Sequence, residues 1–172
     1  MDAFGDIGYD RQHTLRTLGT ITLLQNYFSI YYFGDAYGID HFDVNTSSDC
    51  STYERWFVPL ISTSNLQFCL ADAKGGGRFG KTKILSEYPP SYDNLHVCWY
   101  SDKNCGVCGK CIRTLVALDI LGVLDRYKNT FDIDAYRKNR VNFIKRVIRF
   151  RHRNNFFAEL YAHMPDDMKN LV

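Results

Sequence analysis

The chain has no run approaching the ~18 apolar residues that a membrane span requires, and its opening residues, MDAFGDIGYD, lack the basic-then-apolar order of a secretory signal. A cytoplasmic protein is the expectation. It has no internal repeat and no low-complexity segment. The five histidines, His13, His41, His96, His152 and His163, lie far apart, and none stands in a Ser/His/Asp or Cys/His arrangement visible in sequence. Each reads as an ordinary packed or exposed residue. Acidic residues are absent where basic ones concentrate: from Arg137 to Arg153 there are eight Lys or Arg and no Asp or Glu. Outside one short segment only two cysteines occur, Cys50 and Cys69. Cys50, in a polar loop, has the chemistry of a nucleophile, but an incidental thiol is the simpler reading of both.

What is present bounds the class. The 172 residues, 45% of them hydrophobic and 15% aromatic, suffice for one domain with a real core and are too apolar for a disordered chain. The formal net charge of +2 says little about partners. Leu15, Leu18, Ile21, Leu24 and Phe28 recur at helical spacing, with Asp10 placed to cap the helix. The β-branched and aromatic run 29–33 reads as a buried strand, and 34–54 as a long polar loop. Residues 55–62 read as a short helix broken by Pro59, 66–73 as a second strand, and 94–99 as a third, short one. An amphipathic helix follows, with Ile112, Leu115, Val116 and Ile120 on one face and Gly122 as its stop. Further helices are expected from about Asp134 and Asn155. Alternation of helix and strand followed by helices indicates an α/β layer, with residues 131–172 forming a basic helical tail after a domain spanning 1–130.

The densest signal is HVCWYSDKNCGVCGKC, in which Cys98, Cys105, Cys108 and Cys111 follow the pattern C-x6-C-x2-C-x2-C. Two successive x2 spacings let a backbone wrap one cation with its amides turned toward sulfur. Four thiolates suit a closed tetrahedral zinc site; an iron–sulfur cluster also takes four cysteines, and unmetallated thiols are the third reading. Gly106 and Gly109 favour the tight turns of a zinc knuckle over 98–111. A site filled by four sulfurs leaves no position for water, so the zinc is expected to be structural.

Two basic segments remain. KGGGRFGKTK offers glycines and Arg78, Lys81 and Lys83 to an anion, and residues 75–82 keep the G-x4-G-K-[ST] spacing, yet a flexible basic loop is the plainer reading. RKNRVNFIKRVIRFRHR places Val141, Ile144 and Ile148 on one helix face among cations. That is a packed surface helix by the simplest reading, with RNA contact through 137–153 and attachment to an anionic membrane surface as alternatives.

The block from His96 to Tyr127 resembles the C-terminal half of the 7-cyano-7-deazaguanine synthase-like proteins, PP-loop (N-type) ATP pyrophosphatases related to the queuosine-pathway enzyme. Their final cysteine cluster is matched by Cys98, Cys105, Cys108 and Cys111, and their K-C-x-R-T-x-x-A-L helix by Lys110, Cys111, Arg113, Thr114, Ala117 and Leu118. An upstream R-x-x-K-x-x-x-[IL] element is matched by Arg78, Lys81 and Leu85, and YYFGDAYGIDHFD is similar to a late strand and substrate-side loop. The resemblance spans most of 15–130. It implies a partial Rossmann-like PP-loop layer, ATP with Mg2+, adenylation of a carboxylate with release of pyrophosphate, and displacement of AMP by ammonia. Arg78, Lys81, Lys110 and Arg113 are then the candidates for phosphate or substrate contact. The S-G-G-x-D-S pyrophosphate loop of such proteins does not occur in this sequence. The expectation is therefore a C-terminal fragment or degenerate member, inactive alone and completed by an N-terminal half or a homodimer partner. The reading set beside it is a non-catalytic zinc module that contacts RNA or a protein through its basic helices.

Overall fold

The structure is a computed structural model describing residues 7–35, 48–71 and 77–171. The chain divides into two compact units, Met1–Gly77 and Arg78–Val172. Helices dominate both, and among the described residues the strands form one two-stranded parallel sheet.

In the first unit, α1 spans Tyr9–Thr22. Its cap is Gly8, at φ 78, rather than Asp10, which sits in the first turn where a carboxylate favours the positive end of the helix dipole. The helical spacing that continues through Leu24 and Phe28 overshoots. Thr17, Thr20 and Thr22 turn their hydroxyls back to carbonyls four residues earlier, and the helix ends there, leaving Phe28 outside it. Such back-bonding competes with helix propagation. Strand β1 (Ile30–Phe33) pairs with β2 (Gln67–Leu70) from Ile30↔Gln67 to Phe33↔Leu70. Parallel strands need a crossover connection; this one includes a 3-10 turn, Cys50–Tyr53, and α2 (Glu54–Leu60), which runs through Pro59 and stops one residue later. Leu18, Val58, Leu66 and Phe68 close the core at 0–2% exposure. The middle of the expected polar loop (36–47), which carries most of the substrate-loop resemblance, lies outside the described residues, as do Lys74, Gly75 and Gly76 of the glycine run.

The second unit is helical. α3 spans Gly77–Leu85, so Gly77-Arg78-Phe79-Gly80-Lys81 is helix where the glycines suggested a loop. A short α4 (Ser91–Asn94) precedes the cysteine segment. α5 (Gly109–Ile120) follows it and ends at Gly122, whose φ of 69 is a left-handed turn that a side chain resists. α6 (Ile133–Phe150) is capped by Asp132 Oδ1 on the Ala135 amide, α7 (Asn155–His163) by Asn154, and a final short α8 covers Asp166–Lys169.

One core joins these helices. Ile112, Leu115, Val116 and Leu118 of α5 pack with Tyr136, Ile144 and Val147 of α6 and Leu160 of α7. The α5 residues are 0–1% exposed, each such side chain contributing about 1.5–3 kcal/mol of burial. α6, α7 and α8 thus contribute to this unit's core rather than forming a tail. The buried stripe of α6 runs through Tyr136, Ile144 and Val147, while Val141, expected on it, is 40% exposed. At that latitude the stripe position is Arg140, which pairs with Asp119 at 2.7 Å, and Val141 lies one residue off it.

The strand expected over 94–99 does not form. Asn104 replaces the missing neighbour: its Oδ1 accepts the Val97 amide at 2.9 Å, and its Nδ2 donates to Leu95 O at 2.8 Å and Thr130 O at 3.0 Å. One side chain satisfies the backbone groups a ladder would have paired.

Candidate metal centre and the basic cavity beside it

The sulfurs of Cys98, Cys105, Cys108 and Cys111 lie within 4.8 Å of one another. The Cys105–Cys111 separation is 3.9 Å, close to the edge of about 3.8 Å of a sulfur tetrahedron at zinc–sulfur distances of about 2.3 Å. Gly106, at φ 73, makes the left-handed turn between the first x2 pair. The knuckle turns its amides on the sulfurs: Cys108 N donates to Cys105 Sγ at 3.4 Å, Cys111 N to Cys108 Sγ at 3.4 Å, and Tyr100 N to Cys98 Sγ at 3.5 Å. Cys108 thereby caps α5 with its own thiol.

These contacts set the acidities. Backbone amides of Cys105 and then Tyr100 lower Cys98 to about 6. Burial opposes ionisation of Cys108, but the Cys111 amide and neighbouring sulfur contacts still carry it below the ordinary thiol range. Burial raises Cys111, and the adjacent Cys108 raises it further. Four thiols this close cannot all ionise without a cation among them. The donor set therefore fits a metal ion held by sulfur alone, with no ligand position left open.

Lys110, Arg113, Thr114 and Ala117 of α5 line a cavity of about 310 Å³ together with Arg78 and Lys81 of α3. The four cations expected to contact phosphate thus line one cavity within the second unit. Its volume is at the lower end of the ~300–1,000 Å³ range of small-molecule pockets. Phe156 and Glu159 of α7 complete it, with His96 at its edge; sequence reasoning missed these three, because nothing local to α7 or to a lone histidine announces the cavity.

The cavity is short of negative charge. The Arg113 guanidinium lies 4.3 Å and that of Arg78 4.9 Å from the Phe156 ring centre, and Lys110 Nζ sits 3.5 Å from the ring centre of Trp99. Aromatic faces hold cations only weakly. Burial and then Arg78 lower Arg113 to about 10; burial, Arg113 and Arg78 lower Lys110. Arg113 remains a cation at neutral pH. Arg78 Nε is buried without a hydrogen-bond partner among the described residues, a costly state for a charged donor. Glu159, the lining carboxylate, is committed to the first amides of α3, accepting from Phe79 N at 2.8 Å and Arg78 N at 3.2 Å. One committed carboxylate is no oxygen cage for Mg2+, so the lining residues do not make a dedicated magnesium site.

The cavity and cysteine knuckle share α5. Cys111 turns inward at 0% exposure, while Lys110 and Arg113, on either side of it in sequence, point to the cavity. Comparison with protein-family models, curated proteins and solved structures finds no match for the chain. No helix of the described residues is long and apolar enough to cross a membrane.

Proposed function

We propose that the second unit is a zinc-clamped scaffold presenting a cavity for a phosphate-bearing ligand, in the manner of the C-terminal half of a 7-cyano-7-deazaguanine synthase-like, adenylating PP-loop enzyme. The observation that carries this reading is the convergence of Arg78, Lys81, Lys110 and Arg113 on one cavity whose lining carboxylate is already engaged. In such a reaction a substrate carboxylate attacks the α-phosphorus of ATP, pyrophosphate departs, and ammonia then displaces AMP from the acyl carbon. Fixed cations around the phosphates stabilise the charge that develops as pyrophosphate leaves. The zinc supplies no chemistry in this scheme; it holds the first turn of α5, and with it Lys110 and Arg113. Because the S-G-G-x-D-S loop does not occur in this sequence, the chain alone is expected to bind phosphate without turning over.

Titration calorimetry with pyrophosphate and with ATP tests the reading. Wild-type protein should bind both, and Arg113→Met should weaken binding at least roughly tenfold, as loss of a charge-assisted contact requires. Equal affinity for wild type and Arg113→Met would overturn it. A second reading rests on α6, where Lys138, Lys145, Arg146 and Arg149 are all exposed: a basic surface of that kind suits RNA backbone. Salt-sensitive RNA binding lost on replacing these four, with pyrophosphate binding absent, would favour that reading instead.

A further inference from the structure

A second cluster of metal-ligating side chains lies in the first unit, on residues that the phosphate cavity does not use. His13 of α1 faces the 3-10 turn that begins at Cys50, and one donor atom each from His13, Asp49 and Cys50 lies within 4.8 Å of the others. We propose that these three residues form a second metal site, an N, O, S set for a divalent cation of the zinc class, with no fourth ligand among the described residues.

The surrounding hydrogen bonds aim the donors. Glu54, 2% exposed, accepts the Thr14 hydroxyl at 2.8 Å. With its proton so committed, Thr14 Oγ1 is an acceptor, and two groups approach it: Cys50 Sγ at 3.3 Å and His13 Nδ1 at 3.3 Å. The ring thus turns Nδ1 toward Thr14 and Nε2 outward. Nε2 faces Asp49 Oδ1 at 3.5 Å. An imidazole nitrogen and a carboxylate oxygen so placed share either the ring proton, as an ion pair, or a metal ion that displaces it. A ring nitrogen fixed by a bond on its far side is the arrangement that metal-ligating histidines use, and Thr14–Glu54 supplies that support here. Tyr9 stacks on the His13 ring at 4.8 Å and holds its plane, while Ser51 N and the Ser51 hydroxyl anchor Asp49 Oδ1.

Access and ligand type agree with the assignment. Cys50 is 6% exposed, so its sulfur is shielded, whereas the His13 and Asp49 side chains keep 21% and 36% of their surface. A cavity of about 400 Å³ on α1, with Tyr9, His13, Arg16 and Thr17 in its wall, lies against the same ring. Three protein ligands of mixed type with an open position are the pattern of catalytic zinc, in contrast to four sulfurs.

The test uses the full chain with its four-cysteine site first filled by one equivalent of zinc, followed by titration with Co2+. Wild-type protein should take up one cobalt per chain while its zinc stays at one, with a thiolate-to-cobalt charge-transfer band in the near ultraviolet. Cys50→Ser should lose the band, and Asp49→Asn, which keeps an oxygen for Ser51, should weaken uptake at least roughly tenfold. Circular dichroism checks that each variant is folded; if Cys50→Ser is not, Asp49→Asn alone decides. Absence of cobalt uptake beyond the zinc-filled site, or uptake unchanged in the folded variants, would reduce the cluster to a His13–Asp49 ion pair beside a buried thiol.

Discussion

Glu159 Oε1 accepts the Phe79 amide at 2.8 Å, so a carboxylate from α7 occupies the amide end of α3 on the wall of the basic cavity. This contact opposes two quantities. It stabilises the fold, because it satisfies orphan amides and the positive end of a helix dipole. It also places the cavity's negative charge where an incoming anion would be. Glu159→Gln should lower stability by about 1 kcal/mol and tighten pyrophosphate binding. Urea denaturation and calorimetry on the same preparation check the two opposite signs; weaker binding would show that Glu159 assists the ligand instead.

Asn104 makes three hydrogen bonds to backbone that has no strand partner. Asn104→Ala leaves the Val97 amide and two carbonyls to find water, at a cost of about 2–3 kcal/mol. Asn104→Asp keeps the acceptor for Val97 but loses both donors, and should cost a comparable amount because a carboxylate then faces the Leu95 and Thr130 carbonyls. Chemical denaturation of both variants measures this.

Tyr136 donates its hydroxyl to Asp119 Oδ2 at 2.7 Å, where Arg140 Nε also donates at 2.7 Å. Burial, and then the Asp119 contact, raise the Tyr136 hydroxyl above its ordinary value of 10.0. A group whose acidity is weakened on folding contributes stability that is present below its unfolded value and fades as pH rises beyond it. Unfolding free energy should therefore decline above pH 10, where the unfolded chain ionises this tyrosine and the folded chain does not. Tyr136→Phe should flatten that decline. Urea melts at a series of alkaline pH values are the check.

The chain alone should give no ATP–pyrophosphate exchange above background, because the pyrophosphate loop of adenylating PP-loop enzymes does not occur in its sequence. A radiolabel exchange assay with ATP and candidate carboxylates reads this directly. Robust exchange would mean that another backbone segment cradles the phosphates.

Spacing carried the reading where a single local rule decides the outcome. The two x2 repeats bring the sulfurs of Cys105, Cys108 and Cys111 together because each spans one turn, and Ile112, Leu115 and Val116 are buried because α5 keeps its helical period to Gly122. Reading failed where a distant group overrules the local pattern. The β-like residues of 94–99 are held by Asn104. Gly77 and Gly80 sit in a helix whose first free amides are taken by Glu159, about eighty residues away. Val141 is spaced three and seven residues from Ile144 and Ile148, but the inward stripe runs through Tyr136, Arg140, Ile144 and Val147, and Val141 lies one residue off it. The cavity itself was half legible: its cations lie in two short motifs, whereas Phe156 and Glu159 arrive only when α7 packs on α5. The His13–Asp49–Cys50 cluster was not legible at all, since 36 residues separate two of its three members and neither has a motif around it.

The most direct test of the account is the metal content of the His13→Ala chain, which isolates the four-cysteine site, set against the same chain carrying Cys108→Ser as well. The account predicts one equivalent of zinc in the first protein, and in the second loss of that zinc with several kcal/mol of stability, since structural zinc binding is coupled to folding. Iron with a visible absorption band, or an unchanged melting temperature on loss of Cys108, would contradict it.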